Sequence, residues 1–369
     1  MKNVLILSEG FGAGHTQTAN AIAKGLKQSN SNIQTHVLEL GSSLHPFLAP
    51  VILKLYKQTV FSHPKLYGKL YQTQNKRVTK RAAQLALHKI FYTEAYELIQ
   101  KYNPEKIICT HPFPTMVISR LKRLGLDIPL ITVITDYNLH QAWLTKECDT
   151  YFISNSEMKD KMIQNGIPAS KIVVSGIPVD PDFMTSYSKQ TIRKNFNLEK
   201  MPTVLVMGGG WGVLNYEDLL NELLFWKEKI QIIICLGNNE KALNELSSNS
   251  LFQHPNIKLQ GFTKNINQLM EVSDLLITKP GGVTSTEAIA KQLPMLFFNP
   301  IPGQEEENCK FFVKNNLGMR INTFDQLNER LSQLITNKIK NSEFIASKYE
   351  YNANQCMDQI NHCVQQKVV

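Results

Sequence analysis

The longest absence in this sequence is of negative charge. From Leu40 to Thr93 there is no Asp or Glu, although the 369 residues include 31 acids. The same interval holds Lys54, Lys57, Lys65, Lys69, Lys76, Arg77, Lys80, Arg81 and Lys89, nine cations that match the formal net charge of +9. The basicity therefore belongs to one stretch, and such a stretch attracts phosphate of lipid or nucleic acid. No apolar run reaches the roughly 18 residues of a spanning helix, which argues against a transmembrane segment. The N-terminal apolar run is short and enters a glycine-rich turn, the pattern of a buried first strand and not of a signal peptide. The six cysteines form no Cys-x-x-Cys pair and no zinc spacing with His, so reduced structural thiols are expected. No fixed-period repeat occurs, and 43% hydrophobic content excludes a disordered chain.

What is present is a repeated alternation. Apolar runs at Val4–Leu7, Ile33–Leu40, Lys106–Thr110, Leu130–Thr135, Tyr151–Ser154 and Lys171–Ser175 alternate with helix-length segments. A second series follows at Thr203–Met207, Ile230–Leu236, Ile257–Gln260, Leu275–Thr278 and Met295–Phe298. Short, continuously apolar runs predict strands buried on both faces of a parallel sheet, hence an α/β class. Pro178 and Pro181, with Gly176, Asp180 and Asp182, interrupt the pattern. The expected organisation is a lobe over residues 1–182, a second over 183–342, and a C-terminal helix over 343–369 packed back on the body. Each lobe opens with a strand running into glycines, and ligands of such sheets sit at the carboxyl ends of the strands. Two doubly wound lobes facing across a cleft are predicted.

The glycine turns carry the chemistry. Gly10-Phe-Gly-Ala-Gly-His15 precedes a helix, where free N–H groups and the dipole favour an anion. His15 replaces the third glycine of a dinucleotide fingerprint and titrates near neutrality, so it is either a general base or a hydrogen-bonded loop histidine. Gly208-Gly-Gly-Trp-Gly212 is a phosphate-cradle candidate or a tight turn, and it lacks the Gly-Lys-Ser/Thr ending of a Walker loop. In Thr278-Lys-Pro-Gly-Gly-Val-Thr-Ser-Thr-Glu287, the backbone from Gly281 to Thr284 suits a diphosphate, and Glu287 either accepts ribose hydroxyls or complements the helix dipole. Gln304 and Glu305 begin another helix as an amide and acid suited to vicinal hexose hydroxyls, or as an ordinary acidic first turn. In Thr135-Asp-Tyr-Asn-Leu-His-Gln-Ala-Trp143, Asp136 orients His15 or an acceptor hydroxyl, with His140 and Trp143 lining an acceptor pocket; a structural aspartate is the alternative. Phe47, Leu48, Val51, Ile52 and Leu55 sit among lysines without acids, the composition of an interfacial membrane element. No nucleic-acid-binding motif accompanies the charge.

In that order, Gly-x-Gly-x-Gly-His, Thr-Asp-Tyr-x-x-His-x-x-Trp, Gly-Gly-Gly, Lys-Pro-Gly-Gly-x-Thr-x-x-Glu and Pro-Gly-Gln-Glu resemble the monogalactosyldiacylglycerol synthase and processive diacylglycerol glucosyltransferase family, from about Met1 to Arg320. The resemblance implies a GT-B fold and an inverting, metal-independent hexose transfer from a UDP-sugar to diacylglycerol or glycosyl-diacylglycerol. The UDP-sugar is a substrate, and no cofactor is implied. His15 is then the base, with Asp136 beside it. Gly14, Gly208, Gly209, Gly210, Phe262, Lys279, Gly281, Gly282, Val283, Thr284, Glu287, Gln304 and Glu305 form the donor set. His140, Trp143, Phe47, Leu48, Lys76, Arg77, Lys80 and Arg81 meet the acceptor and an anionic membrane. The protein is expected to be cytoplasmic and peripheral on the inner face of the cell membrane. Rival readings are N-acetylglucosamine transfer to a polyprenyl-linked acceptor, sugar-nucleotide epimerisation, and a catalytically silent sugar-nucleotide sensor.

Overall fold

The structure, a computed structural model, describes residues 2–64, 68–69, 93–210, 212, 217–336 and 351–366. The chain divides into two compact units: Met1–Pro181 with Ile301–Glu307 and Asn352–Val369, and Asp182–Pro300 with Asn308–Tyr351.

The first unit is built on β1 (Lys2–Ser8), β2 (Ile33–Glu39), β3 (Lys106–Cys109), β4 (Leu130–Val133), β5 (Thr150–Ile153) and β6 (Ile172–Val174). They form one parallel sheet in the order β2-β1-β3-β4-β5-β6. Because side chains alternate across a strand, β1 feeds two cores. Leu5 and Leu7 join Ile107, Leu130, Tyr151 and Ile153 on one face, under the helices Pro112–Arg123 and Ser156–Gln164. Val4 and Ile6 join Ile108, Ile131, Val133 and Phe152 on the other, under the helix Ala13–Ser29. The C-terminal helix Ala353–Gln365 lies on this second face, burying Cys356, Met357, Ile360 and Val364. Its Met357 fills the notch at Gly25, where an added Cβ would come within 2.3 Å of the methionine Cε. At roughly 25 cal/mol per Å2 of apolar surface removed from water, such two-sided burial is the main stabilising contribution.

The second unit holds β7 (Thr203–Met207), β8 (Gln231–Gly237), β9 (Ile257–Gly261), β10 (Leu275–Thr278), β11 (Met295–Phe298) and β12 (Met319–Ile321). All pairs are parallel, in the order β12-β11-β10-β7-β8-β9. From the β9 edge this is the doubly wound order 3-2-1-4-5-6. β12 lies outside the apolar runs of the sequence. It is three residues long, carries Arg320 at its centre, and pairs with β11 at the sheet edge, where a charged side chain keeps its water.

In each sheet the strand order reverses beside the first strand. The reversal falls between β1 and β3 in the first unit and between β7 and β10 in the second. The loops leaving these strands splay apart there, making a crevice at their carboxyl ends. The glycine turns after β1, β7 and β10 all leave the sheet at these points.

Candidate active site

In the first unit the loops after β1, β3 and β4, three adjacent strands, converge on His15. It is the third residue of the helix Ala13–Ser29, and Gly14 stands beside it in the first turn. The half-buried His15 ring is held at one nitrogen: Nδ1 lies 2.9 Å from the carbonyl oxygen of Thr110 and 2.7 Å from Thr135 Oγ1. A carbonyl only accepts, so Nδ1 carries the hydrogen. That tautomer leaves the lone pair on Nε2. The Thr110 hydroxyl donates back to the His15 carbonyl at 3.0 Å. The edge of the His15 ring meets His111, with centroids 4.7 Å apart. His111 Nδ1 accepts the Phe113 N–H at 3.1 Å and so caps the helix Pro112–Arg123.

Loss of hydration pulls the His15 pKa down from its ordinary value; the Asp136 charge and the Thr110 carbonyl oppose this. His111 is held well below the usual range by burial and by His15. Both imidazoles are therefore neutral at pH 7, and the bare nitrogen of His15 is Nε2, which can accept a proton.

Asp136 acts on His15 through its field. Its carboxylate is anchored elsewhere: Trp143 Nε1–H donates to Oδ2 at 3.3 Å, and Gln304 Nε2 donates to Oδ1. Its backbone carbonyl accepts the Ser154 hydroxyl at 2.7 Å. Orienting the imidazole thus falls to Thr110 and Thr135, neither of which sequence reasoning singled out. No local signal in the sequence marks either one.

Two expectations change here. Trp143 is 1% exposed and belongs to the apolar core, so it lies beneath Asp136 and does not line a pocket wall. His140 is also buried, and its Nδ1 accepts the Ala142 N–H at 3.2 Å, capping the short helix Gln141–Trp143. The first-unit segment Ile301–Glu307 brings Gln304 to Asp136. Glu305 turns its carboxylate back onto the Ile301 N–H at 2.8 Å.

Below the β1 loop lies an acid pair. Glu39 accepts the Thr16 hydroxyl at 2.8 Å, and Glu9 accepts the Gly41 N–H. Burial, reinforced by the Glu39 charge, pushes the Glu9 carboxyl up to about 7. Glu39 is a brace for the loop.

The helix Ala49–Ser62 covers this loop. Leu53 packs where a Cβ at Gly10 would reach 3.3 Å, and Tyr56 meets Phe11 edge-on with centroids 5.0 Å apart. Its other side, with the preceding turn, exposes Phe47, Leu48, Val51, Ile52 and Leu55; Phe47 is 93% exposed. Lys76, Arg77, Lys80 and Arg81 lie outside the described residues. No helix among the described residues is long and apolar enough to cross a membrane.

In the second unit the turns after β7 and β10 are neighbours, because the two strands pair and the Thr278 hydroxyl donates to the Met207 carbonyl at 3.0 Å. Gly212 has φ 56°, and a Cβ there would meet the Leu236 carbonyl oxygen at 1.6 Å, so no other residue fits. The turn is closed by Gly212 N–H donating to the Gly209 carbonyl at 2.8 Å and by Asn239 Nδ2 donating to the Gly212 carbonyl at 3.0 Å. By contrast, Cβ atoms at Gly209 and Gly281 would meet nothing within 4 Å. Gly208 and Gly210 flank Gly209 in this turn, and Lys279 precedes the β10 turn.

The helix Gly282–Ala290 starts at Gly281 and presents the N–H groups of Gly282, Val283 and Thr284. The buried Ser285 hydroxyl in its first turn has no partner among the described residues. Glu287 follows on the same helix, 8% exposed. Phe262, after β9, is 59% exposed. The open backbone at Gly281 and the N–H groups that follow it suit an anion lying on a helix N-terminus.

The sequence matches the family model described as monogalactosyldiacylglycerol (MGDG) synthase over residues 15–179, and that described as glycosyltransferase family 28 C-terminal domain over residues 203–362. The processive diacylglycerol beta-glucosyltransferase of Bacillus pumilus is 32% identical over 342 residues, covering 92% of this chain and 88% of its own. That of Staphylococcus saprophyticus is 30% identical over 369 residues, covering 98% and 93%. Among solved structures, Acinetobacter baumannii MurG aligns with a TM-score of 0.64 at 17% identity over 99% of each chain. The UDP-GlcNAc 2-epimerase of Neisseria meningitidis aligns with 0.62 at 14%, over 99% of this chain and all of its own. At such identities the structural matches establish the GT-B fold.

Proposed function

The chain belongs to the monogalactosyldiacylglycerol synthase and processive diacylglycerol glucosyltransferase family of GT-B glycosyltransferases, and from that membership we propose that it moves glucose from UDP-glucose to diacylglycerol with inversion. The relatives' names carry the acceptor and the sugar. The observation that carries the chemistry is the His15 ring, whose Nδ1–H is committed to the Thr110 carbonyl so that Nε2 is a neutral acceptor.

In this reading the free hydroxyl of diacylglycerol donates its proton to His15 Nε2 as its oxygen bonds to the anomeric carbon. The bond from that carbon to the UDP oxygen breaks on the opposite face, and the α-linked donor yields a β-glucoside. The new imidazolium is stabilised by the Asp136 carboxylate and by the two acceptors at Nδ1. The leaving diphosphate gains charge, and N–H groups fixed in the turns after β7 and β10 offset it without reorganisation. Gly208 to Gly210 and Lys279 to Thr284 hold the diphosphate, Glu287 the ribose, and the backbone at Phe262 the uracil. Gln304 and Glu305 read the sugar, and for Gln304 this means releasing Asp136. A divalent metal is not part of this scheme, since helix N-termini supply the positive potential.

A glucosyl-diacylglycerol product carries hydroxyls of its own and re-enters as acceptor, which makes the reaction processive. The lipid is met at a membrane surface, where Phe47, Leu48, Val51, Ile52 and Leu55 enter the interface and Lys54 and Lys57, with the basic stretch beyond, face anionic headgroups. The site is thereby peripheral on the cytoplasmic leaflet.

Purified protein is to be incubated with UDP-glucose and, separately, UDP-galactose, in mixed micelles of diacylglycerol and anionic phospholipid, with products read by mass spectrometry. A ladder of hexosyl-diacylglycerols from UDP-glucose is expected. Release of UDP without glycolipid, or epimerised donor, would overturn the acceptor assignment.

A further inference from the structure

We infer that Thr135 is a positioning residue that fixes the plane of the His15 ring, and so aims Nε2, the nitrogen that the Thr110 carbonyl leaves bare, at the acceptor's hydroxyl. The inference rests on the reading of His15 as base. Thr135 ends the run out of β4, is 3% exposed, and its hydroxyl is 2.7 Å from His15 Nδ1. The Thr110 carbonyl stands 2.9 Å from the same nitrogen. The single hydrogen on Nδ1 is thus shared between two acceptors.

Two acceptors at one nitrogen do what one cannot. A neutral imidazole in water favours the Nε2–H tautomer slightly, and the Thr110 carbonyl reverses that preference. A carbonyl alone fixes a direction, but the ring can pivot about it. A second acceptor from a different strand loop fixes the ring plane as well. The Thr110 hydroxyl, returning a bond to the His15 carbonyl at 3.0 Å, holds the backbone of the same residue. Asp136, the adjacent residue, is kept off the ring by Trp143 and Gln304. The device is therefore unlike an acid–histidine pair: hydroxyl and carbonyl set the geometry, and the carboxylate contributes only charge. As the proton arrives at Nε2, both Nδ1 contacts strengthen, because a charged donor makes the stronger hydrogen bond.

The variants Thr135→Val, which keeps the shape and removes the hydroxyl, and Thr135→Ser, which keeps the hydroxyl, separate this role from a packing role. Selective 15N labelling of histidine reports the tautomer of His15, assigned by its loss in His15→Ala. The wild type is expected to show Nδ1 protonated and Nε2 bare. Thr135→Val is expected to keep that tautomer, which the Thr110 carbonyl sets, to lower kcat by roughly 10- to 100-fold, a fraction of what a general base contributes, and to leave the KM for UDP-glucose within about twofold. The acid limb of its kcat/KM profile moves to lower pH, since losing an acceptor at Nδ1 disfavours the imidazolium. Thr135→Ser is expected to restore the rate and the acid limb together.

Undiminished kcat in Thr135→Val with the acid limb unmoved, or an equal loss in Thr135→Ser, overturns the inference. Undiminished turnover in Thr135→Val while His15→Ala is inactive overturns the inference alone; full activity in His15→Ala overturns His15 as the base.

Discussion

His15 and Thr110 hold each other in both directions: the imidazole Nδ1–H donates to the Thr110 carbonyl at 2.9 Å, and the Thr110 hydroxyl donates to the His15 carbonyl at 3.0 Å. One residue lies in the first turn of the first helix and the other directly follows β3, so the pair ties the glycine loop to the neighbouring strand. The clasp turns a surface loop histidine into a fixed one with a defined proton-accepting atom.

His15→Ala is expected to lower kcat by about 10²- to 10⁴-fold, the usual contribution of a general base. UDP-glucose affinity by calorimetry is expected to stay within about twofold, because the turns after β7 and β10, proposed to hold the diphosphate, belong to the other unit. Equal loss of binding and turnover, or full activity, would remove His15 from the mechanism.

The pH profile follows from the same ring. The reactive form of His15 is neutral, and burial lowers its pKa, so kcat/KM is expected to be flat at neutral pH and to fall only below the ordinary histidine range. The Asp136 charge raises that pKa. Asp136→Asn therefore moves the acid limb further down and reduces kcat, since the imidazolium loses its counter-charge. A limb that moves upward would contradict this electrostatic role.

Glu9 makes stability depend on pH. Its folded pKa is about 7 against 4.5 for the free side chain, so the folded chain holds the proton more tightly. The corresponding stability is complete below about pH 4.5 and is lost as pH rises through 7. The shift corresponds to roughly 3 kcal/mol at about 1.4 kcal/mol per unit. Glu9→Gln, which carries no charge and can still accept the Gly41 N–H, is expected to flatten the fall in Tm between pH 5 and 8. Parallel Tm curves for variant and wild type would show that Glu9 is already ionised.

Membrane docking is tested by Phe47→Ser with Leu55→Ser. Fully burying such a side chain is worth about 1.5–3 kcal/mol, so vesicle affinity is expected to fall at least tenfold, with turnover of a soluble short-chain acceptor unchanged. Serine at Lys76, Arg77, Lys80 and Arg81 is expected to weaken binding to anionic vesicles and flatten its salt dependence. Vesicle sedimentation reads both.

Metal independence is tested by adding EDTA to the glycosyltransferase assay. Unchanged rates are expected, and a loss restored by Mg2+ would assign the diphosphate a cation in place of the helix N-termini.

Gly212→Ala is expected to destabilise the second unit by several kcal/mol, since the methyl would strike the Leu236 carbonyl and the φ of 56° is strained for alanine. Gly209→Ala lies in open space but also at positive φ, 78°, so its stability loss is expected to be about 1–2 kcal/mol. Thermal melts distinguish the two.

The sequence by itself determined the two sheets and the place of their loops. Runs such as Val4–Leu7 and Thr203–Met207 are apolar on both faces, and a strand buried on both faces has one home, the middle of a parallel sheet. The glycine turns were legible because a positive φ or a close backbone approach admits few other residues, as at Gly212. His15 was visible as a departure from a glycine pattern. β12 was not, because a three-residue edge strand with a central arginine has no periodicity to read.

Tertiary structure alone decided what surrounds His15. Thr110 and Thr135 come from strands distant in sequence, and the parallel register of β1, β3 and β4 is what brings their loops together. Nothing local marks a threonine that will meet a histidine 95 or 120 residues away. The same holds for Trp143, which reads as an exposed aromatic in a polar motif yet is buried with its indole N–H on Asp136. Local composition encodes which face of an element is apolar; hydrogen-bond partners across loops depend on strand order, which the whole chain sets.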